Sequence, residues 1–362
     1  MPYKISGTLS DAARIIVIKE SDWGIESNTN ESSGIYNITS LTNTDKWIVS
    51  RKSDGETITF GNVTPVGYGD RGVFTAGQAD GTPVNVMAYI TISSAGNATD
   101  FGDMAVIRWN CPGGTSNSFN DRGLFAGGYG PSLSNIIDYI TISTTGDTTD
   151  FGDLTGTRYY LEGVSNGISD RGVFSGGYNK NYIDYVTIST PGNAQDFGDT
   201  TVHRWGFGGA DNATGNRAVF AGGTGTTNVI DYLTITSLGN TVDFGDLFNI
   251  RGFLCGTSNN NRAVYAGGHK SGVGGYNFID YLTITTLGNS LNFGDLTNKR
   301  GMVAACSNRT NDRAVFGGGW HSEGGPAYYN IIDYVTVSTT GNANDFGDLT
   351  VVSYNHTACE NA

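Results

Sequence analysis

Six copies of one pattern fill most of this chain of 362 residues. In each copy a Tyr is followed, at a constant spacing of twelve residues, by a Phe-Gly pair. The Tyr/Phe pairs are Tyr89/Phe101, Tyr139/Phe151, Tyr185/Phe197, Tyr232/Phe244, Tyr281/Phe293 and Tyr334/Phe346. A repeat of about 50 residues is one supersecondary unit that buries a core only by stacking on its neighbours. The pattern therefore predicts six stacked structural units.

The composition indicates the fold class and argues against nucleic acid as a partner. Gly (54), Tyr (19) and Phe (17) are plentiful, whereas only 15% of the residues are charged. So few charges argue against a disordered chain or a coiled coil, and the abundant glycine is typical of strands joined by tight turns. We therefore predict an all-β protein. Its net charge of −13 repels phosphate backbones, so we expect no nucleic-acid partner.

The chain shows no signal for export or membrane insertion. No apolar stretch approaches the roughly 20 residues that span a bilayer, and the first residues carry no apolar signal region. We therefore expect synthesis in a cytoplasm. Four cysteines have no metal-like spacing, and we interpret them as small buried residues of equivalent strands rather than disulfides. They are Cys111, Cys255, Cys306 and Cys359.

Residues 1–63 lack the repeat and alternate short β-like runs with polar turns. Asp54-Gly55 is a tight-turn pair between two such runs. Residues 5–8, 34–38 and 47–49 resemble the small transthyretin-like or carboxypeptidase-regulatory-like β-sandwich. This resemblance implies an amino-terminal β-sandwich adaptor domain over residues 1–63, followed by the repeat domain over residues 64–362.

Each repeat has the same order of elements. A first strand opens on Arg and ends in small residues, usually Gly-Gly. An Ile-Asp-Tyr strand, a Gly-Asn type turn and a Phe-Gly-Asp strand follow, and a second Arg then opens a glycine-rich strand. In the second copy Ile137 and Tyr139 face one side of the strand, and Ile140 and Ile142 face the other. A strand covered on both faces fits a radially packed propeller blade.

This order of elements resembles the kelch repeat over residues 64–362, with Phe where kelch repeats usually carry Trp. The chain is similar to the kelch-like propeller proteins of bacteriophages, which look like tail-fibre and other virion components. The resemblance implies a virion location on the tail or capsid surface after synthesis in the host cytoplasm.

The end of the chain offers a way to close the ring. Residues 351–361 match the Arg-opened strand of the other copies, whereas the segment before the first copy is a poor strand. An open array would leave sheet edges exposed. We therefore predict a six-bladed β-propeller, closed by the carboxyl-terminal strand as the innermost strand of the first blade.

A pair of substitutions supports this closure. The Asp of the Ile-Asp-Tyr strand is replaced only by Ala88, and the strand-opening Arg is replaced only by Ser353. Closure by the tail puts both replacements in one blade, and an unpaired buried charge is costly. The predicted ion pairs are Arg108–Asp138, Arg158–Asp184, Arg204–Asp231, Arg251–Asp280 and Arg300–Asp333. The alternative is that these guanidinium groups reach the Phe-Gly-Asp carboxylates.

The candidate binding site lies where the copies differ in length. Length varies in the loop after the Gly-Gly strand, which lies on one rim of the predicted propeller, and rim loops often carry recognition. The two longest loops hold aromatic and polar side chains that suit sugars or protein hot spots. They are His269, Lys270, Tyr276, Phe278, Trp320, His321, Glu323, Tyr328 and Tyr329. These residues contact a host glycan or receptor, contact another virion subunit, or only cover the rim.

The sequence gives little sign of chemistry. Four histidines, in different copies, lack ligand spacing, so we expect no metal centre and no cofactor. The Asp-Phe-Gly-Asp segments suggest calcium, but turn capping or Arg pairing explains a sixfold recurrence better. An enzyme acting on surface polysaccharide would need carboxylates in the channel or rim, whereas the innermost strands offer mainly Gly, Ser, Asn and Cys.

The function expected from the sequence is that of a non-enzymatic virion structural protein. We expect a tail-fibre or receptor-binding component whose propeller rim recognises a host surface glycan or protein. The amino-terminal domain would attach to other virion proteins, with the chain present as a homo-oligomer or in multiple copies. The alternative is a capsid- or tail-decorating subunit that binds only other virion proteins.

Overall fold

A computed structural model describes residues 69–361, apart from positions 76, 111, 118–120, 168–169, 225–226 and 323–326, and gives the strand positions of the amino-terminal segment. The chain divides into two units, Met1–Tyr68 and Gly69–Ala362. The first unit contains strands β1 to β6, where β1 pairs with β4 and the others follow the order β3-β2-β5-β6. Their bounds are Pro2–Leu9, Ala13–Lys19, Ile25–Glu31, Gly34–Thr42, Trp47–Arg51 and Thr57–Ile58. The sandwich predicted for this segment stays a prediction.

The second unit is an all-β, six-bladed propeller of four-stranded antiparallel blades, an architecture consistent with a kelch-like repeat. We name the strands of each blade a to d from the hub outward, because the a strands of neighbouring blades contact each other in a ring. The a strands of blades 1 to 6 are Ala358–Glu360, Gly113–Asn117, Glu162–Ser165, Gly208–Asp211, Cys255–Ser258 and Ala304–Ser307. The b strands are Arg71–Thr75, Arg122–Ala126, Arg171–Ser175, Arg217–Ala221, Arg262–Ala266 and Arg313–Gly317.

The c and d strands complete the blades. The c strands are Val86–Thr91, Ile136–Thr141, Tyr182–Thr187, Val229–Thr234, Phe278–Thr283 and Ile331–Thr336. The d strands are Thr99–Asp103, Thr149–Asp153, Gln195–Asp199, Val242–Asp246, Leu291–Asp295 and Asn344–Asp348. Small hairpins in the b–c loops of blades 1, 5 and 6 pair Gln78–Ala79 with Thr82–Pro83, His269–Lys270 with Gly274–Gly275, and Trp320–His321 with Ala327–Tyr328. Short 3-10 turns cover Ala213–Gly215 and Arg309–Asn311.

The carboxyl-terminal strand closes the ring, as the sequence predicts. Ala358 pairs with Phe74, and Cys359 pairs with Val73, in antiparallel register. The Asn361 side chain then accepts a hydrogen bond from the Arg71 backbone N–H at 3.0 Å. The first blade therefore takes its innermost strand from the far end of the chain.

The hydrophobic core lies between blades rather than within them. One cluster packs Val73 and Met87 of blade 1 against Phe125 and Ile140 of blade 2, and equivalent clusters follow at the other junctions. The b and c strands are thus covered on both faces, which is why their apolar residues do not alternate. The three described cysteines, in the a strands, are free and buried.

The repeated Tyr and Phe contact each other across neighbouring strands. Each repeated Tyr packs edge to face with its Phe, with ring centroids 6.0–6.2 Å apart. The Arg that opens each b strand lies over the same Tyr ring, 4.1–4.6 Å from its centroid. Its Nη1 also donates to a backbone carbonyl of the next blade at 2.9–3.1 Å. The repeated residues therefore stabilise each blade and join it to its neighbour.

The Phe-Gly-Asp segments act as docking points for the turn of the next blade. The Asp246 N–H donates to Asn289 Oδ1 at 3.0 Å, and the same contact recurs from blade to blade. Gly245 has a φ of +152°, and an added Cβ would lie 2.4 Å from the Gly288 carbonyl oxygen. Glycine is required there because both the backbone conformation and the close approach exclude a side chain. Turn capping thus accounts for the recurrence of this motif.

Candidate functional site

The five predicted ion pairs form a ring of buried charges around the hub. The Nη–Oδ2 distances are 2.5 Å for Arg108–Asp138, 2.6 Å for Arg158–Asp184, 3.0 Å for Arg204–Asp231, 2.8 Å for Arg251–Asp280 and 3.0 Å for Arg300–Asp333. Each pair joins the segment before an a strand to the c strand of the same blade. The guanidinium groups thus reach the carboxylates of the Ile-Asp-Tyr strands.

Further hydrogen bonds hold each pair in place. Arg108 Nη1 donates to the carbonyl oxygens of Gly127 at 3.0 Å and Ile136 at 2.7 Å. Burial lowers the pKa of the Arg108 guanidinium and raises the pKa of the Asp138 carboxyl, against their mutual attraction. Such a pair fixes geometry rather than adding much stability. We therefore assign these residues a structural role.

Blade 1 replaces the ion pair with a neutral network. His356 Nδ1 lies 3.0 Å from Ser353 Oγ and 3.0 Å from the Thr75 carbonyl oxygen, and Nε2 lies 3.0 Å from the Gly317 carbonyl oxygen. Burial lowers the pKa of His356 to about 4, so the ring is neutral at pH 7. A neutral ring that donates from Nε2 to Gly317 accepts from the Ser353 hydroxyl at Nδ1. In this tautomer His356 joins the tail to blade 6, whereas the tautomer protonated at Nδ1 would donate to the Thr75 carbonyl oxygen of blade 1 instead.

The long loops of blades 5 and 6 lie side by side. The His269 and Trp320 rings are 5.4 Å apart, and His269 Nε2 lies 3.4 Å from Ser322 Oγ. Burial, and then the nearby His321, lower the pKa of His269. Lys270 is exposed, whereas His321 is buried. His269, Trp320 and Ser322 therefore form a mixed aromatic and polar surface across two blades.

The remaining predicted rim residues separate into smaller contacts. Tyr276 stacks on Phe278 with centroids 5.0 Å apart within blade 5. Tyr328 of blade 6 stacks on Tyr354 of the carboxyl-terminal segment at 4.8 Å. Tyr329 is half-buried, and its N–H donates to the Gly319 carbonyl oxygen at 3.0 Å. Glu323 lies outside the described residues, as does Cys111.

A second aromatic surface, which the sequence analysis does not predict, runs along blades 2, 3 and 4. Five rings follow one another with centroid separations of 4.8–5.8 Å. We call them the aromatic arc, and in order they are Trp109, Tyr129, Tyr159, Tyr178 and Trp205. The arc crosses two blade junctions, where Tyr129 meets Tyr159 and Tyr178 meets Trp205.

Two repeated backbone positions build the arc. One is the residue after the ion-pair Arg, and the other is the residue after Gly-Gly. In blade 2 the backbones of Trp109 and Tyr129 exchange two hydrogen bonds of 2.8 Å, and in blade 3 Tyr178 donates to Tyr159 at 2.9 Å. The equivalent positions in blades 5 and 6 hold His269 and Trp320, so the arc and the long loops share one rim. The sequence shows that aromatic residues recur at these two positions, but their pairing comes from the fold.

The hub carries more charge than the sequence analysis expects. Arg309 bonds Asp211 at 2.8 Å and Glu360 at 3.4 Å, which links blades 4, 6 and 1 across a cavity of about 70 Å³. Glu162 lines the same cavity, and burial raises the pKa of its carboxyl well above the usual value. Three carboxyl groups thus lie in the a strands among the expected Gly, Ser, Asn and Cys, and they are those of Glu162, Asp211 and Glu360.

The outer edge differs between blades as well. Three equivalent positions are compared, one in the c–d turn, one in the d strand and one in the segment after it. Blades 4 and 5 carry large apolar residues at these positions, except for Thr297 of blade 5 in the last of them. The other blades carry small residues, polar residues or Pro there. We call the large apolar residues of blades 4 and 5 at these positions the outer apolar patch. Its residues, which are 54–73% exposed, are Leu238, Val242, Phe248, Leu287 and Leu291.

In the part of the chain that the structure describes, no helix is both long and apolar enough to cross a bilayer. Nor do three or more His, Cys, Asp or Glu side chains there form a group that could hold a metal ion. In comparisons of the sequence with known proteins, no family model and no curated protein matches this chain.

Proposed function

We propose that the protein is a non-enzymatic recognition protein whose propeller rim binds a surface glycan, in the manner of a tail-fibre-type receptor-binding component of a bacteriophage virion. The observation that carries the proposal is the concentration of aromatic rings at the paired rim positions. Aromatic faces with polar edges suit the faces and hydroxyl groups of sugars. The virion setting, with the amino-terminal unit attached to other virion proteins and several copies per particle, follows the resemblance to phage propellers.

A glycan array with the purified full-length chain tests this proposal. We expect binding to a restricted set of surface glycans. The double variant Tyr129→Ala/Trp320→Ala, which removes one ring from each half of the rim, should lower the signal by about tenfold or more. Silence across the array would reject glycan recognition, and release of new reducing ends from a bound polysaccharide would reject the non-enzymatic role.

A second candidate function is supported by the outer apolar patch. Large exposed apolar patches on soluble proteins often mark protein–protein contacts. The patch favours a decorating subunit whose blades 4 and 5 pack on another virion protein. In that case Phe248→Asp with Leu291→Asp would abolish incorporation into particles, measured by immunoblotting of purified particles, while glycan binding stays unchanged. Normal incorporation of the double variant would reject this role.

A further inference from the structure

The aromatic arc forms one continuous surface across three blades. Three of its four ring contacts are angled, with interplanar angles of 65° for Trp109–Tyr129, 68° for Tyr129–Tyr159 and 59° for Tyr178–Trp205. The fourth, Tyr159–Tyr178, is stacked at 15°, so each of these two rings covers one face of the other. In an edge-to-face contact one ring offers only its edge, so its faces stay free for a ligand. A row of five rings offers several stacking positions in succession, more than a single sugar unit covers.

The arc is accessible to a ligand. Tyr129 is 37% exposed and Tyr178 is 41% exposed, although both are large and mainly apolar. Tyr159 lies between them and is half-buried. The Tyr159 ring centroid lies 5.8 Å from that of Tyr129 and 5.1 Å from that of Tyr178. Burial, and then the nearby Tyr178 and Tyr129, raise the pKa of Tyr159. The surface therefore offers hydroxyl groups beside the ring faces.

Two polar groups lie beside residues of the arc, one neutral and one charged. The Tyr160 hydroxyl donates to Asn110 Oδ1 at 3.0 Å, which holds an amide next to Trp109. Lys180, after Tyr178, lies with its ammonium group 5.3 Å from the ring centroid of Tyr182, which is 44% exposed. The chain as a whole carries a net charge of −13, which repels anionic polysaccharides. Charge therefore favours an uncharged ligand.

We propose that the aromatic arc is an extended binding site for a linear, neutral glycan several sugar units long, which runs round the rim across blades 2, 3 and 4. This inference rests on the proposed function and specifies its ligand class. Successive sugar rings stack on successive aromatic faces, and the tyrosine hydroxyls and the Asn110 amide bond the sugar hydroxyls. A short ligand covers only part of the row, so affinity must rise with chain length.

Titration calorimetry on the full-length protein tests the site, with cello-, malto- and N-acetylchito-oligosaccharides of two to six units as probes. For at least one series we expect the affinity to increase by about tenfold or more from dimer to hexamer. Tyr178→Ala and Tyr129→Ala should each weaken hexamer binding by about tenfold. Tyr178→Phe, which keeps the ring, should lose less, and Trp320→Ala should also lose less than Tyr178→Ala.

Phe248→Ala provides the matched control, because it removes an exposed aromatic ring at the outer edge and should leave hexamer affinity unchanged. Binding that is lost in Trp320→Ala and unchanged in Tyr178→Ala would overturn the arc while leaving the proposed function in place. Binding on the array to acidic glycans alone would overturn the neutral ligand class. No binding to any hexamer or to any glycan on the array would overturn both proposals.

Discussion

Blade 1 and the other five blades solve the same packing problem with different chemistry. In blades 2 to 6 the buried Arg and Asp are close in sequence, as for Arg158 and Asp184, which are 26 residues apart. In blade 1 the equivalent positions are Ser353 and Ala88, which lie near opposite ends of the propeller's amino-acid sequence. A charge pair there would depend on contact between the two ends of the propeller sequence, and a buried charge without its partner is costly. The comparison teaches that charged pairs lie where the two partners are close in sequence, and neutral contacts lie where they are far apart in sequence.

Of the changes that test this comparison, removal of the carboxyl-terminal tail should have the largest effect on the stability of the propeller. Deletion of residues 351–362 removes strand a of blade 1, the Ser353–His356 network and the contacts of Asn361 with Arg71. We expect loss of the cooperative thermal transition and aggregation, because one edge of blade 1 and the faces of blades 2 and 6 lose their cover. Circular dichroism and size-exclusion chromatography measure this. Deletion of Ala362 alone is the control, and a truncated chain that melts like the wild type would show that closure is dispensable.

Breaking one ion pair should have the next largest effect. Arg204→Met leaves Asp231 buried without its partner, and we expect a loss of about 3–5 kcal/mol in the free energy of unfolding. Replacing both residues, as Arg204→Met/Asp231→Leu, gives blade 4 a neutral pair like that of blade 1 and should recover most of this loss. Urea denaturation measures both variants. If the double variant is at least as unstable as the single one, the contrast between the blades does not rest on the unpaired charge.

The seam between blades 6 and 1 should be selectively sensitive to acid. The pKa of His356 is about 4 in the folded state and 6.5 ordinarily, so the unfolded chain binds the proton more readily. The contribution of the neutral ring is complete above pH 6.5 and is lost as the pH falls towards 4, by ~3 kcal/mol. His356→Leu matches Leu161 and Leu254, which hold the equivalent position in blades 3 and 5.

Urea denaturation at pH 7, 5.5 and 4 compares the wild type with His356→Leu. Carboxylates contribute to acid destabilisation in both proteins, so the difference between their slopes isolates the imidazole. We expect the leucine variant to lose less stability between pH 7 and pH 4. Equal losses in the two proteins would show that His356 does not govern the acid response of the seam.

The sequence predicts the blades and the closure because their residues recur at constant spacing. Tyr139 and Phe151 recur in every copy, and a single missing pair, Ala88 and Ser353, identifies the blade that the tail completes. The binding residues of the rim are less predictable. Loop length identifies Trp320 as a candidate but not Tyr178, which lies in a short loop. The backbone pairing that brings the two arc positions together involves residues from separate loops, and only the fold shows it. Likewise Glu162 stands alone in its strand and gives no repeated signal.

The outer Arg contacts continue across the seam without interruption. Arg313 Nη1 donates to the Ile92 carbonyl oxygen at 3.1 Å, and the Asp348 N–H donates to Asn97 Oδ1 at 3.1 Å, as at the junctions inside the chain. The contacts of these residues at the junction of blades 6 and 1 are therefore the same as those at the other junctions. It follows that the propeller is suited to circular permutation, in which its ends are joined and the chain is opened between another two blades.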